Sequence, residues 1–275
     1  MAELGYREGE NYTFDYVRTK SPSPVDYEAG FREVVAHNPD LLLAAGTEVG
    51  LKSALAVSST IPIVKVAIGY DPVAQGYASS LARPGGRITG LYVLQLELAV
   101  KRLQLFKDAI RDLSSAIVFY EPGAQTQWMA AKGAAAQLGL RLFGIDLGYP
   151  PFNFEAALSE TPPGIARNLC VLDSPRFTLD RKRLAEFALR SRLPSMFPSR
   201  EFADAGGLLA YGPNIEWTFA RSAEIVDRIA RGAKPAELPI EQPTKIEFVI
   251  NLATARALQI DLAPELLARA DEVVE

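Results

Sequence analysis

Residues 70–90 read YDPVAQGYASSLARPGGRITG, and the way they punctuate the chain decides the fold. They follow residues 61–67, an apolar run rich in β-branched side chains with the pattern of a buried strand. Asp71 reads as a helix N-cap and Pro72 as the first helical residue. An aspartate there accepts N–H groups that have no partner in the helix, and a proline has none to lose. The spacing predicts a helix to about Leu81, ended by Pro84, Gly85 and Gly86, and then a second apolar strand over 88–93. That is a strand–helix–strand crossover with a polar loop at the carboxyl end of its first strand. Open parallel sheets bind ligands at that edge. Asp71 therefore has two readings, a simple cap or an acid facing a ligand, and the residue alone does not choose between them.

Toward the amino terminus, residues 1–4 read as the tail of a helix with Gly5 as its left-handed stop. A helix that short does not hold itself, so the chain reads as starting inside a unit. NYTFDYV at 11–17 alternates and is aromatic, which predicts a strand. Residues 21–24 predict a turn and helix start, 27–37 a helix, 40–45 a short buried strand, and 51–58 the next helix. Gly46, Thr47 and Glu48 leave the strand at the ligand-side edge. The alternation of strand and helix signals a parallel sheet covered on both faces, with right-handed crossovers.

Toward the carboxyl terminus, 96–112 is an amphipathic helix, with Leu98, Leu103, Leu105, Phe106 and Ile110 inside and Lys101, Arg102 and Lys107 outside. A second series follows. Strands are predicted over 115–120, 140–147, 168–172, 194–197 and 207–211, and helices over 125–138, 153–158, 177–190 and 215–231. Two similar α/β series suggest two similar lobes, whose strand ends could face each other across a cleft. The strand exits share a theme of a polar or aromatic residue beside Gly or Pro: Gly46-Thr47, Asp71-Pro72, Glu121-Pro122, Asp173-Ser174-Pro175 and Tyr211-Gly212-Pro213. Such loops carry function on rigid scaffolds, and they are also the composition of ordinary turns. Residues 238–251 are extended and Pro-punctuated, as a segment crossing between lobes would be, and short helices finish the chain at 253–258 and 264–269. The lobes are expected at 1–93 plus 213–243 and at 94–212 plus 244–275, with crossings near 94, 212 and 244.

The 275 residues are 48% hydrophobic and 23% charged, which is ordinary globular composition. A net charge of -4 and the lack of a basic run argue against a nucleic-acid partner. The single cysteine, Cys170, reads as a buried core thiol and leaves the redox compartment open. The single histidine, His37, has no Cys or carboxylate at metal-ligand spacing, so no metal and no cofactor are expected. No apolar run reaches membrane-spanning length, and the first residues, MAELGYREGENY, lack the regions of a signal peptide.

Two long motifs, DPV-x-x-G-x-x-x-SLARPGG-x-ITG at 71–90 and LP-x-EQPTK-x-E-x-VINL-x-TA-x-AL at 238–258, resemble the substrate-binding proteins of ABC importers. They are similar to the branch associated with tryptophan or tyrosine uptake. ELGY-x-EG-x-N at 3–11, REF-x-x-AGGL-x-x-YGP at 200–213 and LLARADEV at 266–273 fit the same family. The resemblance implies an α/β type I periplasmic-binding-protein fold, two Rossmann-like lobes with parallel sheets, joined by crossing segments, and a ligand held in the cleft between them. Its ligand loops would correspond to Thr47, Tyr70, Asp71, Glu121, Gln125, Asp173, Ser174 and Tyr211. Asp71 or Asp173 would take a ligand ammonium group, and Thr47, Ser174 and backbone N–H groups its carboxylate. Tyr70, Tyr120, Trp128 and Tyr211 are candidates to wall an aromatic or apolar ligand, with Trp128 and Tyr120 also fitting a core, Trp128 more so. Relative to the family pattern, a leading peptide, the first strand and most of the first helix are missing before Glu3. A truncated or misplaced start is the expectation, with residues upstream of Met1 in the native product.

The resemblance implies a monomeric receptor that captures a small molecule, closes by a hinge and docks on a membrane permease. It would work in the periplasm, or lipid-anchored outside the cytoplasmic membrane. An enzyme on a doubly wound fold is the alternative, but the chain has no Gly-x-Gly-x-x-Gly after a strand, no phosphate-loop lysine and no Gly-x-Ser-x-Gly. The sensing core of a transcription regulator is a third reading, and no DNA-binding segment stands out.

Overall fold

A computed structural model describes residues 1–17, 23–165 and 167–275. A short 3-10 turn, Ala2–Leu4, is closed by Gly5 in the left-handed region. The elements then run α1 (Pro24–Ala36), β1 (Leu42–Gly46), α2 (Glu48–Val57), β2 (Ile63–Ile68), β3 (Ile88–Val93), α3 (Gln95–Ala109), β4 (Ser115–Tyr120) and, after a 3-10 turn at Pro122–Ala124, α4 (Gln125–Gln137). Next come β5 (Arg141–Asp146), α5 (Phe154–Ser159), β6 (Leu169–Val171), α6 (Pro175–Leu179), α7 (Arg181–Arg190), β7 (Ser195–Phe197), α8 (Arg200–Asp204) and β8 (Leu209–Pro213). The chain ends with α9 (Ile215–Ala230), β9 (Ile240–Glu241), β10 (Ile246–Asn251), α10 (Leu252–Leu258), α11 (Pro264–Leu267) and β11 (Glu272–Val274).

These elements form two compact α/β units: Met1–Val93 with Ile215–Thr244, and Leu94–Asn214 with Lys245–Glu275. In the first, four parallel strands lie in the order β1-β2-β3-β9. β2 and β3 are buried on both faces, which is why they read as continuous apolar runs rather than alternating ones. Helix α9 is tied to β9 where Arg221 donates to both Glu241 oxygens at 2.7 and 2.8 Å. The Tyr6 hydroxyl donates to Asp227 of α9 at 2.9 Å, anchoring the first residues.

Two expectations for this unit fail. The helix expected over 72–81 is a single turn. The Asp71 Oδ1 does accept from the Val73 and Ala74 N–H groups at 2.8 and 3.1 Å, as a cap would. Gly76 then takes φ 76, a left-handed conformation that ends the turn, and residues 79–87 have no helix. The strand expected over 11–17 contributes only a bridge between Glu8 and Tyr12. Phe14 and Tyr16 are 54% and 74% exposed, so the alternation has no neighbouring strand to pack or pair with among the described residues. In the turn and helix start read over 21–24, residues 21 and 22 lie outside the described residues. Helix α1 begins at Pro24, with Ser23 as a cap accepting from Asp26 N–H.

The second unit is a seven-stranded sheet, β11-β10-β8-β7-β6-β4-β5. All pairings are parallel except β10 with β8. Alternation along β4 sends Ala116, Val118 and Tyr120 into one apolar cluster and Ile117 and Phe119 into another, one on each face. The extended tail divides: β9 joins the first sheet and β10 the second. The single helix expected over 177–190 is two, α6 and α7, meeting at Asp180. Arg102 is the largest departure. Expected on the outer face of α3, it is fully buried.

Candidate ligand-binding site

Parallel pairing puts the carboxyl ends of β1 and β2 on one edge of the first sheet, and those of β4, β6, β7 and β8 on one edge of the second. The candidate residues stand at these two edges.

In the first unit, Thr47 occupies the N-cap position of α2, directly after β1. Tyr70 is buried after β2, with its ring edge-on to Tyr77 at 6.1 Å. The Tyr77 hydroxyl donates to Glu48 at 2.7 Å. Beneath Tyr70 lies a group that no motif announced. Lys65, mid-strand in β2, is 0% exposed, and its ammonium has no hydrogen-bond partner among the described residues. Its Nζ stands 5.1 Å from the centre of the Tyr70 ring. Burial pulls the amine down to about 7, against the pull of the Asp71 carboxylate. Burial also holds the Tyr70 phenol well above its usual range. Asp71 is only partly buried and commits one oxygen to capping its own turn.

In the second unit, Glu121 is 2% exposed and accepts from Arg176 at 2.6 Å, so its charge is matched locally. Ser174 is buried as the N-cap of α6, its hydroxyl accepting from the Arg176 N–H. Gln125 opens α4 with its side chain exposed. Tyr211, in β8, is partly exposed with its ring edge-on to Phe248. Trp128 and Tyr120 are both buried and stack on each other at 5.5 Å, so they build the core.

Asp173 is held by neighbours at both its backbone and its side chain. Buried Gln127 pairs with its backbone in both directions: the Asp173 N–H donates to Oε1, and Nε2 donates to the Asp173 carbonyl, each at 3.1 Å. Gln95 Nε2 donates to Oδ2 at 2.7 Å. Arg102 stands behind Gln95, with Nη2 donating to its Oε1 at 3.1 Å. Burial pushes the Asp173 carboxyl up to about 6, Arg102 opposes that rise, Glu121 and Glu201 add to it, and the Gln95 bond opposes it. Sequence reasoning missed Gln95, Gln127 and Arg102. The signal was present: 95, 98, 99, 102, 106 and 109 share one helical stripe, and all are buried.

The other single residues fall as follows. Cys170 is a buried thiol, pushed up to about 12 by burial. His37, read as lacking a carboxylate at metal-ligand spacing, meets Asp15 through space at 3.1 Å. No cluster of metal-ligating side chains and no helix long and apolar enough to cross a membrane occurs among the described residues.

Two α/β units, one with a parallel sheet and one with a sheet parallel but for the β10–β8 pair, and their polar strand exits define the two-lobed fold of type I periplasmic binding proteins. The chain belongs to the ABC transporter substrate binding protein family, whose profile matches residues 1–274. A tyrosine-binding protein of Clostridioides difficile is 21% identical over 267 residues, 94% of this chain and 74% of that protein. Among solved structures, a conserved domain protein from Vibrio cholerae is 24% identical with a TM-score of 0.84, covering 99% of this chain and 90% of that one. An ABC domain from Streptococcus pneumonia, solved in complex with L-Trp, is 18% identical with a TM-score of 0.84, covering 99% and 91%. At these identities the structural likeness speaks for the fold.

Proposed function

We propose that the protein captures an aromatic amino acid at its strand-exit loops and delivers it to a membrane permease, doing no chemistry on it. Asp173 carries the reading. An acid held by three hydrogen bonds to its backbone and side chain, with Oδ2 taken by Gln95, presents its remaining oxygen as an acceptor for an ammonium group. Asp71 is the second acid of the proposed set. Its cap bonds occupy Oδ1, which makes it the weaker candidate. Thr47, Ser174 and neighbouring N–H groups are assigned to the carboxylate, although the cap role of Ser174 leaves its hydroxyl hydrogen as the available donor. Tyr70 is the aromatic contact assigned in the first unit and Tyr211 the one in the second, each at its own strand exits, and Glu121 with Arg176 and the exposed Gln125 are assigned to the exits of the second unit. The names of the relatives that bind tyrosine and L-Trp support this ligand class. We assign the protein to the outside of the cytoplasmic membrane, as a monomer.

A thermal-shift screen tests it. L-Tryptophan, L-tyrosine and L-phenylalanine should raise the melting temperature, because a ligand that binds only the folded state stabilises it. Benzoate, which lacks the ammonium group, and tryptamine, which lacks the carboxylate, should not. A flat response to every amino acid would refute the ligand class.

A further inference from the structure

The second unit holds a buried relay that ends on Asp173. Arg102 lies in the middle of α3, and its guanidinium joins the β7 exit, strand β8 and the start of α3. Nε donates to the Tyr211 carbonyl at 2.7 Å, and Nη2 to the Pro198 carbonyl at 3.3 Å and to Gln95 Oε1 at 3.1 Å. Gln95 lies two turns earlier on the same face of the helix and is itself buried. A guanidinium only donates hydrogen bonds, so an amide that meets it must present its oxygen. The NH₂ of Gln95 is then turned the other way, toward Asp173 Oδ2 at 2.7 Å. With the amide reversed, two donors would face each other at Arg102 and two acceptors at Asp173. The buried charge thus fixes the side-chain amide, and the amide fixes the acid.

We propose that Arg102 and Gln95 are positioning residues that keep Asp173 ionised and aimed at the ammonium group of the bound ligand; this rests on the ligand class given above. The charged groups around Asp173 are Arg102, which favours its ionised form, and Glu121 and Glu201, which oppose it. Arg176 offsets Glu121 at 2.6 Å. Without the pair, burial among acids would leave Asp173 protonated over more of the neutral range. A protonated acid is a poor partner for an ammonium ion.

A structural role for Arg102 alone, tying the Pro198 and Tyr211 carbonyls, is separated from this by changing Gln95. Gln95→Leu leaves those two bonds in place and removes the donor to Asp173. Gln95→Glu sets a second carboxylate beside it. The readout is the ¹³C titration of the Asp173 carboxyl in the ligand-free protein, assigned by its loss in Asp173→Asn. The midpoint should rise by about one pH unit in Gln95→Leu and further in Gln95→Glu. L-Tryptophan affinity at pH 7.5, measured by calorimetry, should fall about tenfold in Gln95→Leu. An unchanged Asp173 midpoint in both variants overturns the positioning role. If the unaltered protein binds no aromatic amino acid, the ligand class fails, and the ligand-free titration still decides the role of the pair.

Discussion

Replacing Lys65 with methionine should stabilise the protein, and by an amount that depends on pH. The ammonium is 0% exposed and has no hydrogen-bond partner among the described residues; the Tyr70 ring at 5.1 Å and the charge of Asp71 are its compensation. Its pKa falls from 10.5 to about 7. At about 1.4 kcal/mol per pH unit, the charged form in the fold costs on the order of 5 kcal/mol relative to the unfolded chain. The sign follows from proton counts. Between pH 7 and 10.5 the unfolded chain keeps a proton on Lys65 that the folded chain has lost, so stability rises with pH through that window. Below about 7 both states are protonated and the whole penalty is present. Methionine fills much of the same volume without the charge, so Lys65→Met should gain on the order of 3–4 kcal/mol at pH 7 and little by pH 10. Urea unfolding of both proteins from pH 6.5 to 9.5 measures this. That range stays below the titration of Tyr70 and Tyr77, whose phenols are both held well above their usual range. Parallel stability–pH curves, or a less stable variant at pH 7, would refute the burial argument.

Asp173→Asn should abolish most aromatic amino acid binding while keeping the far-ultraviolet circular dichroism; retained affinity in calorimetry would move the ammonium site elsewhere. In the unaltered protein, affinity should fall as pH drops through about 6, where Asp173 takes up its proton, and a pH-independent Kd between 5 and 7.5 would contradict that. Arg176→Ala strands the Glu121 carboxylate, 2% exposed, and should cost about 3–5 kcal/mol in denaturant unfolding, with much of the loss recovered by adding Glu121→Gln. Gly212→Ala should lower the melting temperature markedly, because a Cβ there would stand 1.8 Å from the Pro198 carbonyl oxygen and push β8 away from the β7 exit. Near-normal melting would show that the strand can shift without cost.

The strands were legible where burial on both faces leaves a continuous apolar run, as in β2, β3 and β4. A helix start was legible where turn composition precedes it, as within 21–24, where Ser23 caps α1. The 72–81 segment misled because Asp-Pro announces a helix start in one turn, and only the later Gly76 decides that it stops there. The 11–17 segment misled because alternation describes a strand's faces but says nothing about whether a neighbour exists to pair with. Very short strands such as β11 carry too few residues to show a period. In the candidate site, the exit loops could be read from their Gly, Pro and Asp content. The buried relay behind Asp173 was harder to read: 95, 98, 99, 102, 106 and 109 share one helical stripe, but Arg102 and Gln95 look polar and hence exterior until the groups that accept their hydrogen bonds are placed around them. Lys65 was hidden differently: it lies inside 61–67, read as one apolar run, where a single charge among β-branched neighbours draws no notice.

Calorimetric titration of the purified protein with L-tryptophan and L-tyrosine at pH 7.5, beside Asp173→Asn, tests amino-acid capture most directly. The expected result is saturable one-to-one binding of at least one of them, lost in the variant. No heat from any aromatic amino acid, or equal binding by the variant, would contradict it.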